Sequence, residues 1–416
     1  MNSLNIKTKA EIYKKSEHRL QTSKIDIEAL KIIHRLNRAG HVAYIVGGGV
    51  RDLLLNKAPK DFDIATNATP KEIKNLFRNC RIIGRRFKLA HIFFRGNKII
   101  EVSTFRDFST EPNDDSTESD KLLANDNIYG DERSDAIRRD LTINALFYNP
   151  INHTIIDYVG GLKDLRHGVI RIIGDPEIRF QEDPIRMIRA LRHASRTNFQ
   201  IAEDCLTAIN KYHHLIEKCP AMRLYEEIKK DMLSGCFLGT LQLMQQHHVL
   251  QHLLPKLSAG MAKELWQHNS YFLQSIANAD IHLKEYGENS ITALLAVLVL
   301  FSQNLNFSKA HFLDEEFNQE ILKENIQEAF QHFAVPRKEK EKILIVIRQA
   351  QARIINQKNT TRSRLKDDLR SDINHLLSYL GLKRFETEYS SESIPKKKSQ
   401  TFRLRLPKDK KYRGGK

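Results

Sequence analysis

The stretch "YIVGGGVRDLLLNKAPKDFDIAT", Tyr44 to Thr66, sets three glycines behind a β-prone run and, twelve residues later, two aspartates one residue apart. Side chains alternate along a strand, so Asp61 and Asp63 share one face while Phe62 and Ile64 take the other. Two such carboxylates suit a hard divalent cation, which binds few protein carboxylates and completes its shell with water and phosphate oxygens. Gly47 to Gly49 precede a helix-like "VRDLLLN", and a turn without Cβ atoms lets backbone N–H groups approach phosphate. Arg51 is a candidate charged fork for the same phosphates. On spacing alone, D-x-D is equally an edge-strand pair and G-G-G a tight turn, so neither motif decides the chemistry by itself.

Outward from this stretch, Ser23 and Asp26 start a helix carrying Ile27, Leu30, Ile33 and Leu36 at helical spacing, and Gly40 ends it. Residues 1–24, polar and lysine-rich, read as a flexible arm. Short β-prone runs at 41–46, 62–65, 82–83, 91–94, 98–105, 154–159 and 169–173 predict a small mixed sheet with helices. The acidic, polar stretch 106–134 reads as a mobile loop. From Gln181 helical patterns replace strands. The fold class expected is α+β: a head over 25–175, an all-α neck over 176–235 and an all-α body over 236–390. Residues 391–416 read as a disordered basic tail, with ten Lys or Arg between Lys396 and Lys416 against Asp409 alone.

With 416 residues, 41% of them hydrophobic, the chain has material for more than one core. Its net charge of +16 suits a polyanionic partner, nucleic acid first. Cys80, Cys205, Cys219 and Cys236 form no C-x-x-C pair, which fits a reducing cytoplasm. No apolar leader or run of membrane-spanning length is legible.

"GGGVRDLLLNKAPKDFDIAT" resembles the head motif of class II nucleotidyltransferases of the polymerase-β superfamily, the bacterial poly(A) polymerases and tRNA CCA-adding enzymes. "EVSTFR" at 101–106, "RRDLTINALFYN" at 138–149, "DYVGGLKDL" at 157–165 and "QEDPIRMIRALR" at 181–192 resemble further blocks of that family, in order. The resemblance implies a polymerase-β-like head with Asp61 and Asp63 as ligands of two Mg²⁺ ions, Mn²⁺ being an alternative, and ATP as substrate. Gly48 and Gly49 become the triphosphate cradle. For the third acid the candidates are Asp140, taken as catalytic, and Glu101, taken as metal-supporting. Arg139 and Asn144 match the block that contacts ribose and triphosphate; on a helix Asp140 and Asn144 would share a face.

Asp183 precedes Pro184 and reads as a helix cap, with Arg186 three residues on. A carboxylate beside a guanidinium complements the amine and ring nitrogen of adenine or cytosine and mismatches guanine and uracil. In the family this pair reads the incoming base. Arg186, Arg189, Arg192 and Arg196 form a basic stripe near the nucleotide, and "MRLYEEIKK" resembles a block supporting the Asp183 helix. "IIGRRFKLAHI" at 82–92 resembles the poly(A) polymerase branch, so Arg85, Arg86 and Lys88, with Lys396, Lys397 and Lys398 of the tail, are the expected RNA contacts. The activity expected is addition of AMP from ATP to RNA 3′ ends. A tRNA CCA-adding enzyme and a catalytically silent RNA-binding protein are the alternatives.

Overall fold

The computed structural model describes residues 9–84, 88–107, 129–262, 271–303, 308–314, 319–355 and 366–382. Its strands are β1 (Glu11–Tyr13), β2 (Ala43–Val46), β3 (Asp63–Thr66), β4 (Cys80–Ile83), β5 (Leu89–Phe93), β6 (Ile99–Thr104), β7 (Leu146–Asn149), β8 (Thr154–Asp157), β9 (Val169–Ile170) and β10 (Gln200–Ile201). Eight of them form one mixed sheet in the order β1-β8-β7-β2-β3-β6-β5-β4, in which β3 and β6 are parallel. The α+β architecture is as expected, but the sheet is larger. β1 comes from the presumed arm, where Ile12 pairs with Ile156 of β8. β7 comes from the block read as helical. The presumed loop ends early, because Asp131 and Ser134 cap a helix at Glu132–Ile137. Residues 108–128 of that loop lie outside the described residues, as do Arg85, Arg86 and the basic tail.

β2 is buried along its whole length, which places it at the centre. Ile45, Ile64, Val102, Ala90 and Ile92 belong to the core that also takes Ala29, Ile32, Ile33 and Leu36 of the Ile27–Arg38 helix. The opposite face collects Tyr44, Val46, Ala65, Phe105, Phe147 and Val159. Asp26 caps the Ile27–Arg38 helix by accepting from the Glu28 N–H at 2.9 Å.

At the end of β8 the buried Asp157 accepts four backbone N–H bonds, from Val159, Gly160 and Gly161 on Oδ1 and from Leu162 on Oδ2, at 2.9–3.0 Å. Gly160 turns through φ +79°, and a Cβ on Gly161 would lie 2.1 Å from the Thr142 carbonyl oxygen. The "DYVGGLKDL" block thus clamps the Gly161–His167 helix against the turn at Thr142–Asn144.

Beyond the sheet, β9 and β10 form a short parallel pair, a strand contact later than the sequence suggests. The Ile185–Thr197 helix then packs on Ala221–Met232, and the core continues into the body. There Ile291–Gln303 is central, with every residue from Ala293 to Phe301 buried. Apolar all round, it is a buried helix. Among the described residues no helix is long and apolar enough to cross a membrane.

The Asp157 clamp gives a direct expectation. Asp157→Ala strands three buried donors and one half-buried one and lowers stability by about 3 kcal/mol. Gly161→Ala costs roughly 1–3 kcal/mol through forced separation of the turn. Urea denaturation of each variant measures both, and a midpoint equal to the parent's contradicts the clamp.

Candidate active site

The candidate site gathers where β2 ends and β3 begins, since Val46 pairs with Asp63 and with Phe147. Gly47 carries the chain out of β2 at φ +69°, ψ −135°, a conformation open to glycine and hardly to other residues. Its missing Cβ would come within 3.4 Å of Arg139 Nη1. The expected cradle residues Gly48 and Gly49 open the Gly48–Leu54 helix, whose first-turn N–H groups have no intrahelical acceptor. The glycine that the backbone demands is therefore Gly47, one residue before those singled out from sequence.

Asp63 begins β3 and Asp61 lies just ahead of it, both exposed. Neither carboxylate makes a hydrogen bond or ion pair with another described residue. The Asp63 carboxyl is pushed up to about 6, first by the protein crowded around it, then by the negative charges of Asp61 and Glu101; Arg139 opposes the shift. Ile64 pairs with Val102 in parallel register, so Asp63 and Glu101 each stand one residue before that pair. On its other side Glu101 lies 3.4 Å from His91 Nε2. Glu101 thus stands level with Asp63 on the neighbouring strand and acts on its charge, although among the described residues no three His, Cys, Asp or Glu side chains gather closely enough to hold a metal.

Asp140 lies elsewhere. It sits on the irregular link between the Glu132–Ile137 helix and the Thr142–Asn144 turn, so the helical face expected for Asp140 and Asn144 does not exist. Its Oδ1 accepts from Arg186 Nε at 2.9 Å and its Oδ2 from Arg189 Nη1. Burial opposes its ionisation, but the Arg189 and Arg186 guanidinium groups hold it below the usual carboxylate range. The placement corrects the expectation of Asp140 as a catalytic acid at the metal pair.

Arg51 is also corrected. Only 2% exposed, it is no open phosphate fork: Nε donates to Asp52 Oδ1 at 2.9 Å and Nη1 to Asn144 Oδ1 at 2.7 Å. Asn144 is accordingly turned toward Arg51 and His193, not toward a ribose beside Asp140. His193 stays neutral, its pKa driven well down by burial and then by Arg51, Arg192, Arg196 and Arg189. Arg139 does reach the glycine turn. It stacks over Phe147 at 5.5 Å and is held by the buried Asp135, with Nη2 to Oδ2 at 2.8 Å.

The basic stripe is an internal ladder rather than a phosphate-binding face. Arg189 and Arg192 pair with Glu227, Arg192 with Asp231, and Arg196 with Asp52, at 2.6–2.8 Å. Despite burial, Arg189 and Arg192 bring Glu227 down to about 2, while complete burial pushes Asp231 up to about 7. Asp183 ends the Pro176–Glu182 helix and also caps the next one as expected: Pro184 already has helical backbone angles, and Asp183 Oδ1 accepts from the Ile185 N–H at 3.4 Å. Its Oδ2 accepts from Arg223 Nη2 at 2.9 Å, so "MRLYEEIKK" supports the Asp183 segment as expected. Asp183, Pro184, Lys218 and Arg223 line a cavity of about 400 Å³. A larger cavity of about 1160 Å³ is lined by Asp175, Glu177, Glu203 and Asp204 with Arg171, a charge balance that repels triphosphate. Lys88 is exposed ahead of β5.

Sequence reading missed Asp52, Asp135, Glu182 and His193. Asp135 had a signal, since it lies one helical turn before Arg139. His193 had only its place on the arginine helix, seven residues after Arg186.

Residues 43–171 match the family model described as "Poly A polymerase head domain". Residues 198–261 match the one described as "Probable RNA and SrmB- binding site of polymerase A". The chain is 47% identical over 251 residues to Poly(A) polymerase I of Salmonella typhi, covering 59% of this chain and 54% of that protein. It thus spans about half the length of such relatives. To the CCA-adding enzyme of Bacillus pumilus it is 33% identical over 300 residues, covering 71% of this chain and 73% of that one. Among solved structures, a tRNA nucleotidyltransferase complexed with a primer tRNA and an incoming ATP analogue aligns at TM-score 0.53 and 27% identity, covering 85% of this chain and 94% of that one. The Bacillus stearothermophilus CCA-adding enzyme in complex with CTP shares the fold at TM-score 0.58 and 23% identity, covering 85% of this chain and 77% of that one. The chain belongs to the nucleotidyltransferase family of poly(A) polymerases and tRNA CCA-adding enzymes.

Proposed function

We propose that the chain is a poly(A) polymerase, which transfers AMP from ATP to an RNA 3′-hydroxyl without a template and releases pyrophosphate. The carrying observation is the 47% identity to Poly(A) polymerase I over 251 residues, against 33% over 300 residues to a CCA-adding enzyme. In the reaction the hydroxyl oxygen bonds to the α-phosphorus as the bond from that phosphorus to the β-phosphate bridge breaks. The hydroxyl proton leaves to solvent.

Two carboxylates suit a hard divalent cation that draws the rest of its shell from water and phosphate oxygens, since among the described residues no third ligating side chain joins them. Asp61 and Asp63 lack partners and repel one another, which a cation between them relieves. Asp61 and Asp63 would hold two Mg²⁺ or Mn²⁺ ions, with Glu101 in support. Bound there, the metal supplies charge neutralisation at the phosphates and acidifies the attacking hydroxyl. The turn at Gly47 offers backbone donors to the triphosphate, and Arg139 adds positive charge beside it. Asp183 and Arg186 read the base as acceptor and donor.

We assign RNA binding to the 198–261 region, to Lys88 with its neighbours Arg85 and Arg86, and to Lys396, Lys397 and Lys398. The division into head, neck, body and tail at 175, 235 and 390 follows the same reading. Unpaired cysteines at all four positions agree with a reducing cytoplasm.

Two outcomes are expected. An Asp63 carboxyl near 6 must ionise to hold a cation, so Mg²⁺ binding and AMP transfer rise as pH increases through about 6. Because the folded value lies above the unfolded 3.8, the metal-free protein loses stability from Asp63 as pH rises from there to about 6. Asp63→Asn removes that slope in metal-free melting curves and cuts incorporation at least about 100-fold. A pH-independent Mg²⁺ titration with full Asp63→Asn activity contradicts the metal assignment.

The second outcome separates this activity from CCA addition. Given ATP and CTP with an unrelated RNA and with a tRNA lacking its end, the protein extends both with A alone. Sequenced products ending in CCA on tRNA only would assign the rival activity.

A further inference from the structure

The link at residues 138–140 joins the two halves of the candidate site. Arg139 faces the glycine turn and acts on Asp63, while Asp140 turns away to the Ile185–Thr197 helix. Arg179 fastens the link to the neck by donating from Nη2 to the carbonyl oxygens of Arg138 and Arg139 at 3.3 and 3.2 Å.

The donors of Arg186 are almost fully spent. Nε is taken by Asp140, and Nη1 donates to the Arg179 carbonyl at 2.8 Å and to Glu182 Oε2 at 3.0 Å. Nη2 alone donates to no described residue. A guanidinium is planar, so fixing two of its nitrogens fixes the direction of the third. Asp140 also cannot leave Arg186 cheaply, because its second oxygen is held by Arg189, itself paired with Glu227.

We propose that Asp140 is a positioning residue for base selection: it sets the Arg186 fork so that Nη2 is the one donor presented to the incoming base. The inference rests on the assignment of Arg186 as base reader, and it removes Asp140 from the metal site. The link also makes placement of the base depend on the same three residues that position Arg139 beside the triphosphate.

The test is single-nucleotide addition to RNA with ATP, CTP, GTP or UTP by the parent, Asp140→Asn and Asp140→Glu, with Mg²⁺ titrations of each. Asparagine keeps the shape and loses the charge; glutamate keeps the charge and moves it by one methylene, which covers the case that the neutral variant does not fold. Expected for both is about a tenfold rise in KM for ATP and about a tenfold loss of discrimination against GTP and UTP, from one impaired charged hydrogen bond. The loss falls more on KM than on kcat, and half-saturation by Mg²⁺ stays within about twofold of the parent. In an Arg186→Lys background the discrimination effect of Asp140→Asn disappears, because both act through one group. Intact discrimination with a shifted Mg²⁺ requirement overturns the proposal, as does an additive effect in the double variant. A parent that adds no nucleotide to RNA instead overturns the functional reading itself.

Discussion

Charge balance at the Ile185–Thr197 helix is the constraint on which the rest of the site depends. Arg186, Arg189, Arg192 and Arg196 lie on a helix packed on Ala221–Met232, where Arg186 and Arg192 are buried enough that a bare guanidinium would be costly. Each finds an acid from a different part of the chain: Asp140 and Asp52 from the head, Glu182 beside the helix, Glu227 and Asp231 from the helix packed against it. Such pairs add little over apolar packing, but removing one partner costs roughly 3–5 kcal/mol. Their effect is registry. The head cannot rotate against the neck without stranding a buried charge.

Against that background the two unpaired aspartates stand out. Asp52, Asp135, Asp140 and Glu227 are satisfied by arginines, whereas Asp61 and Asp63 are left to repel each other. Among the described residues no cation is paired with either carboxylate, and Arg139 only partly offsets the negative charge around Asp63.

Much of this was legible in sequence because it is local. The alternation around Asp63 and the apolar spacing of Ile27–Arg38 are set by residues a few positions apart and appear as read, while the helix start differs: Asp26 alone caps it and Ser23 lies in the preceding turn. The ordered blocks fixed the α+β class. What escaped reading depends on distant partners. β1 is a strand only because β8 offers an edge, and "LFYN" becomes β7 only because β2 lies beside it. Arg51 looks like a phosphate fork until Asn144, 93 residues away, accepts from it. The stripe of arginines reads as a basic face near the nucleotide because its acids lie up to 144 residues off.

The ambiguity between Asp140 and Glu101 has the same origin. Both are acids in recognisable blocks, and sequence spacing cannot say which one a parallel strand pairing brings alongside Asp63. The register of β3 with β6 sets Glu101 level with Asp63, since one residue of slip would turn Glu101 to the opposite face of the sheet. Asp140 then has a different explanation for lying next to Arg139. One short turn carries a cation toward the glycine turn and an anion toward the Ile185–Thr197 helix: Arg139 is held by Asp135 beside Gly47, while Arg186 and Arg189 hold Asp140 on the other side.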